Sequence, residues 1–282
     1  MNWIFFILIG VSASTAITIW HRLALKDKDS DPIAYSIVFQ FTAGFIILIY
    51  ALISGFDASE LKNYLPNILL MVVSYYLFNY FRLNSLKKIE ASKFTILFQT
   101  GILWTVLGAI IFLNETVTFE QFAGIILIIL SVIIVTAKGF KFNFKIEEIF
   151  ALAAAPIASI AFLNDVYILR KFDIPTYSAL TFLFPALFMA AVNPKKIAAT
   201  KTYLKGKRFL NILIVSMLTS IAILCYYAAL TLGAKASQIS PLTQVATILT
   251  VIFAFIFLKE RDDLVKKLIA VFLGFIGVLL LK

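Results

Sequence analysis

One carboxylate stands apart in this sequence. Asp165 lies in the apolar run 147–169, five residues before Arg170, about 7–8 Å of helical rise inside that end. Its i+4 neighbour is Leu169, so no cation on its own helix face neutralises it. A carboxylate in apolar surroundings can hold a proton or meet an ammonium group; a solvated place at the end of the run is the alternative. Asn164 and Tyr167 adjoin it and extend a polar patch. Gln99 and Gln244, 145 positions apart, form a second set, each six or seven residues into its run. An amide carries two donors and two acceptor lone pairs, so it either grips a polar ligand or ties helices together at about 0.6 kcal/mol. Arg82 follows Asn79 at spacing three, on one face with Tyr75 and Phe78. There an arginine holds an anionic group with two parallel hydrogen bonds, or extends to the nearest polar boundary. His21, beside Arg22, reads as an interfacial residue, and as the sole histidine it rules out a His-cluster metal site. Tyr75, Tyr76, Tyr80, Tyr226 and Tyr227 each add an apolar face with one hydrogen bond, and Trp104 is a further mid-run aromatic. The binding candidates are therefore Gln99, Gln244, Trp104, Tyr76, Asn79, Arg82, Asn164, Tyr226 and Tyr227, with Asp165 as the candidate for a coupling ion.

The elements that must position these groups follow from composition. Of 282 residues, 62% are hydrophobic and only 14% charged, and the mean hydropathy is +0.98. A soluble domain carries roughly 45–50% apolar and about 25% charged residues. Cys225 is the single cysteine, so no internal disulfide exists. The net charge of +10 does not point to nucleic acid, because Lys and Arg sit in short gaps between long apolar runs. Ten runs are long enough for a hydrocarbon core: 3–22, 33–54, 64–84, 92–113, 118–137, 147–169, 175–193, 209–230, 237–258 and 264–281. They must be helices, since a barrel would alternate. The first lacks a basic leader and is read as an uncleaved span. With the N-terminal side called side A, Lys62, Arg170, Lys171, Lys235 and Lys282 lie there, and the other 20 of 25 basic residues lie on side B. That bias puts side B in the cytoplasm and both termini outside it.

The chain repeats at an offset of 145. Between 83 and 115, eleven of 33 positions coincide, among them Ala91/Ala236, Ser92/Ser237, Gln99/Gln244 and Glu115/Glu260. Ser14/Ser159 and Ala16/Ala161 match at the same offset, and Gly10/Ser14 and Ala155/Ser159 are equivalent small-residue pairs at spacing four, suited to close helix packing. Each half thus holds five spans, and an odd number makes the second half enter from the opposite face. The expected fold is an all-α integral membrane protein of ten transmembrane helices in two inverted five-helix repeats, 1–138 and 145–282. Pro156, Pro185 and Pro241 fall inside spans and free backbone carbonyls, as kinks or as ligands. Glu115 and Glu260 close their spans as helix-end anchors rather than ligands.

The ten-span, five-plus-five layout resembles the drug/metabolite transporter superfamily, EamA-type transporters in particular. The resemblance rests on Ala236-Ser237-Gln238-Ile239-Ser240-Pro241-Leu242-Thr243-Gln244 running to Leu258-Lys259-Glu260, and on Ala91-Ser92 through Leu113-Asn114-Glu115. Asn114 and Lys259 stand where the family usually has Gly, and Ile96 matches Pro241. The resemblance implies a secondary transporter that exports small metabolites such as amino acids or amphipathic compounds by alternating access. The residues themselves point to a mostly neutral, aromatic-lined cavity suited to zwitterions or neutral amphiphiles. The alternatives are a passive facilitator or channel and a non-transporting scaffold; the latter would need an interaction domain that the sequence, ending just past its last span, is not expected to have. No Gly-x-Gly-x-x-Gly, phosphate-binding loop or His-Glu-x-x-His occurs, so no enzyme, cofactor or metal is expected. The expected partners are a small-molecule substrate and the lipid bilayer of a plasma (inner) membrane, with one chain complete as a monomer and dimers allowed.

Overall fold

The computed structural model describes residues 3–104, 118–136, 144–234 and 236–281, with backbone alone over 236–242 and at 244. Eleven α-helices run through them: α1 Trp3–Leu25, α2 Pro32–Ser54, α3 Leu65–Lys88, α4 Ala91–Phe98, α5 Phe119–Thr136, α6 Ile146–Ile168, α7 Ile174–Val192, α8 Pro194–Thr200, α9 Gly206–Thr231, α10 Ala236–Phe253 and α11 Leu264–Leu280. No strand occurs among the described residues. Six helices, α1, α2, α5, α6, α7 and α9, are long and apolar enough to cross a membrane. Two features depart from the expected runs. The run expected over 92–113 is interrupted: α4 ends at Phe98, a turn occupies 99–100, and helix resumes over 101–104. The short helix α8 forms within the expected loop between Lys195 and Arg208.

The helix starts are written locally. Asp31 caps α2, its Oδ1 accepting from Ile33 N (3.0 Å) and Ala34 N (3.2 Å), with Pro32 behind it. Asp173 caps α7 through Thr176 N at 2.8 Å. Gly55 ends α2 at φ 100°, a left-handed position that a side chain resists.

The burial pattern is inverted relative to a water-soluble protein. Large apolar side chains such as Phe5, Ile53, Phe119 and Phe272 are more than half exposed, whereas His21, Gln40, Asn79, Gln99 and Asp165 are buried. Hydrocarbon as the outer solvent explains both facts: apolar groups lose nothing there, and polar groups must pair inside. The helices pack as α1 on α9, α3 on α6, α2 on α7 and α5 on α11. Small residues permit the closest approaches. A Cβ on Gly124 of α5 would stand 2.6 Å from the Gly277 carbonyl of α11, and one on Gly10 would stand 3.1 Å from the Tyr226 ring. Ser159 Oγ of α6 donates to Gly101 O at 2.9 Å, and Thr15 Oγ1 of α1 reaches Ala246 O at 3.4 Å; positions 101 and 246 are themselves 145 apart.

Candidate functional site

Four helices converge on Asp165. It is 1% exposed, and three phenols donate to it: Tyr177 of α7 to Oδ1 at 2.7 Å, and Tyr75 of α3 and Tyr227 of α9 to Oδ2 at 2.5 and 2.8 Å. Its place near the end of α6 is therefore enclosed rather than solvated. Next to it, Asn164 and Asn67 of α3 pair twice: Asn67 Nδ2 donates to Asn164 Oδ1 at 2.9 Å, and Asn164 Nδ2 to Asn67 O at 3.1 Å. Tyr227 sits where the sequence brings a phenol to the same end of the bundle, so two of the predicted residues, Asn164 and Tyr227, join Asp165 in one cluster. A carboxylate that accepts three hydrogen bonds has the arrangement of an ionised group. Taking up a proton turns one of its oxygens into a donor, so at least one of the three phenols must turn from donating to accepting.

A polar face on α3 leads away from this cluster. Tyr75, Asn79 and Arg82 follow at spacings of four and three, so they share one face over about 10 Å of rise. Asn79 Nδ2 donates to Gln40 Oε1 of α2 at 3.3 Å, and Gln40 Nε2 donates onward to Ser36 Oγ at 3.0 Å. The Arg82 guanidinium carbon stands 5.5 Å from the Phe78 ring centre, and Phe78 stands 5.8 Å from Phe98 of α4. His21 is fully buried, not interfacial, with Nδ1 at 2.9 Å from the Tyr35 hydroxyl.

The remaining predicted residues lie elsewhere. Gln99 is 4% exposed at the break after α4, and a Cβ on Gly274 of α11 would collide with its Oε1. Tyr76 stacks edge-on against Phe188 at 5.2 Å, and Tyr226 lies with its hydroxyl 3.5 Å from Ser14 Oγ. Trp104 is half exposed. Gln244 lies on α10, and its side chain, like all of Glu115, falls outside the described residues. Tyr177 and Gln40 carry no assignment from sequence. Tyr177 had a signal: it stands twelve residues after Asp165, across one short loop, so both face the same side.

The opposite end, side B, is tied by charges. The Glu260 carboxylate accepts from Ala91 N (2.9 Å), Ser92 N (3.2 Å) and Ser92 Oγ (2.7 Å) at the start of α4. Arg22 Nη1 donates to Leu86 O and Lys87 O at 2.9 and 2.7 Å, Lys267 pairs with Glu90 at 2.6 Å, and Lys93 with Glu148 at 2.6 Å. The expected anchoring role of Glu260 thus takes a specific form, a bond from the second half of the chain to the first turn of α4.

Comparison with known proteins gives two results. The model of the EamA-like transporter family matches residues 1–137 and again residues 145–282. One solved structure, described only as a crystal structure of a protein, superposes over 98% of this chain and 95% of its own with a TM-score of 0.67 at 17% identity, a likeness of fold. No curated protein matches the chain at a significant level.

Proposed function

The chain belongs to the EamA-like transporter family, and from that premise we propose that it carries small metabolites outward across a plasma membrane by alternating access. The observation that carries the reading is the carboxylate enclosed by three phenols inside a helical bundle with an apolar exterior. Ten spans, one for each helix except α8, form two five-helix halves, 1–138 and 145–282, inserted in opposite senses. The packing supports this. Shifting each helix by 145 residues turns the α1–α9 contact into the α6–α3 contact, and returns α2–α7 and α5–α11 to themselves. Side B faces the cytoplasm in this reading, which the excess of basic residues there supports. One chain carries both halves and works alone. Substrates are amino acids or other amphipathic compounds, held between the halves near Asn79, Arg82 and Tyr76.

Proton binding at Asp165 couples to transport because it reverses at least one of three interhelical hydrogen bonds, making a phenol accept where it donated. The Asp165 cluster closes one face, and Glu260 on α4 closes the other. A gradient that favours the protonated acid loosens the first closure.

The experiment is counterflow by purified protein in proteoliposomes, with labelled amino acids, amphipathic drugs and sugar nucleotides, with and without a pH gradient. Saturable counterflow of at least one class is expected, stimulated by the gradient. Asp165→Asn should abolish the stimulation and leave exchange intact. Linear, non-saturating flux would make the protein a channel, and absence of flux for every class would overturn the carrier reading. Unchanged gradient-driven accumulation in Asp165→Asn would overturn the coupling role alone.

A further inference from the structure

Arg82 has a positive charge inside the bundle and no acid to match it. Among the described residues no Asp or Glu oxygen comes within 4.0 Å of its guanidinium; the ion pairs are made by Arg22, Lys93, Lys196, Lys266 and Lys267. It is nevertheless held among α1, α2 and α4 rather than turned outward. Its guanidinium lies over Phe78, which stacks on Phe98 of α4, and it lies within electrostatic reach of His21 on α1 and Tyr35 on α2. It remains partly accessible, as do Phe78 and Phe98, whereas His21 and Tyr35 are fully buried.

Two further groups beside it lack a partner. His21 is fully buried, with Nδ1 2.9 Å from the Tyr35 hydroxyl, and Nε2 meets no hydrogen-bond partner among the described residues; in the tautomer where Tyr35 donates to Nδ1, Nε2 carries the ring hydrogen. Ser85, one turn beyond Arg82 on α3, is fully buried with Oγ likewise unpartnered. A buried N–H without an acceptor is unfavourable, and an uncompensated guanidinium more so. The guanidinium, the Ser85 hydroxyl and His21 in that tautomer can all donate to one anionic group. The flanking Phe78 and Phe98 rings offer an apolar surface next to that charge.

We propose that Arg82, with the Nε2–H of His21 and the Ser85 hydroxyl, forms a recognition site for the carboxylate of an amphipathic substrate. This rests on the carrier reading above and narrows its substrate class. A planar carboxylate takes two parallel N–H bonds from guanidinium, which a lysine could not supply. The Asp165 cluster lies along the same α3 face, about 10 Å of rise away, so the anionic group and the coupling proton use separate ends of one polar path.

The test measures binding and transport side by side with three probes: 3-phenylpropionate, L-phenylalanine and L-phenylalaninamide. Wild-type protein in detergent should be thermally stabilised by the two carboxylates and not by the amide. Arg82→Gln should weaken carboxylate binding about thirtyfold or more, and Arg82→Lys should restore part of it. His21→Phe should weaken it less than Arg82→Gln. Equal stabilisation by the amide, or undiminished carboxylate binding in Arg82→Gln, overturns the proposal. Stabilisation by inorganic phosphate in preference to the carboxylates overturns it as well. If Arg82→Gln does not purify as a single folded species, wild-type discrimination between L-phenylalanine and its amide decides. Saturable counterflow confined to solutes without a carboxylate would sink this proposal and leave the carrier reading standing; carboxylate binding without any counterflow would do the reverse.

Discussion

Removing the Glu260 carboxylate should open the start of α4. In Glu260→Ala, the amides of Ala91 and Ser92 lose their acceptor, and the Ser92 hydroxyl loses a 2.7 Å partner. Helix-start amides have no intrahelical acceptor, and Glu260 is only 8% exposed, so water reaches them poorly. Each unpaired N–H costs about 1–3 kcal/mol. Relief of the buried carboxylate's desolvation and loss of its attraction to Arg22, 3.9 Å away, partly cancel. A net loss of about 3 kcal/mol remains, close to a hundredfold in a local opening equilibrium, since about 1.4 kcal/mol is tenfold. Glu260→Gln keeps one acceptor oxygen and should lose about half of that free energy, or tenfold. Hydrogen–deuterium exchange in detergent, read on peptides that contain Ala91 and Ser92, gives the opening directly. Exchange there should rise about a hundredfold in Glu260→Ala and tenfold in Glu260→Gln, with α7 peptides unchanged. A rise of less than about threefold in Glu260→Ala would refute the reasoning, because the carboxylate would then not be what holds α4 to the second half.

Two further outcomes follow from other contacts. Gly124→Ala should lower the melting temperature of the purified protein, because its Cβ would meet the Gly277 carbonyl at 2.6 Å and backbone cannot yield cheaply; overpacking of this kind costs about 1–3 kcal/mol, and an unchanged melting temperature would show that α5 and α11 separate freely. The loop contact between Asp31 and Lys196, 2.8 Å apart, should be lost in acid. Burial works against the Asp31 charge, but the hydrogen bonds from Lys196 and from the Ala34 and Ile33 amides outweigh it and hold its pKa below the usual value. A depressed acid stabilises the fold above its unfolded pKa of about 3.9 and loses that contribution as pH falls through the folded value. Proteolysis within 194–205 should therefore accelerate below about pH 4, and Asp31→Asn should make it fast at neutral pH; equal rates in the two proteins at pH 7 would contradict the sign.

Much of this architecture was legible before any coordinates. Hydrocarbon leaves helices as the one economical answer to long apolar runs, so spans such as α1, α2, α6 and α9 could be bounded closely. Asp165 stood out because a carboxylate in such a run needs a reason, and Glu260 because its copy recurs at Glu115 in register. The partners were not legible. Tyr177 and Gln40 are ordinary residues in their own helices, and they matter only through the rotation and depth at which α7 and α2 meet α6 and α3. The break at Gln99 has no signal at its own positions: neither Gly nor Pro occurs at 99–100, and the turn arises where Thr100 and Leu103 bond three residues back instead of four. His21 was placed at the boundary because Arg22 follows it. Arg22 reaches the carbonyls that end α3 while His21, about 100° around the helix, turns inward.

The offset that pairs the halves also exposes where they differ. Ala91, Ser92 and Glu260 have identical counterparts, but Asp165 corresponds to Trp20, and Arg82 to Tyr227. The two halves share these three residue types in register, and neither buried charge. An acid near one face and a base nearer the other make the bundle an electric dipole along the membrane normal, and each unit charge moved through the whole field is worth about 2.3 kcal/mol per 100 mV. On the proposed alternating-access reading, an exchange of roles between the halves would move that dipole against the membrane potential, so that voltage would bias the two orientations even without a solute.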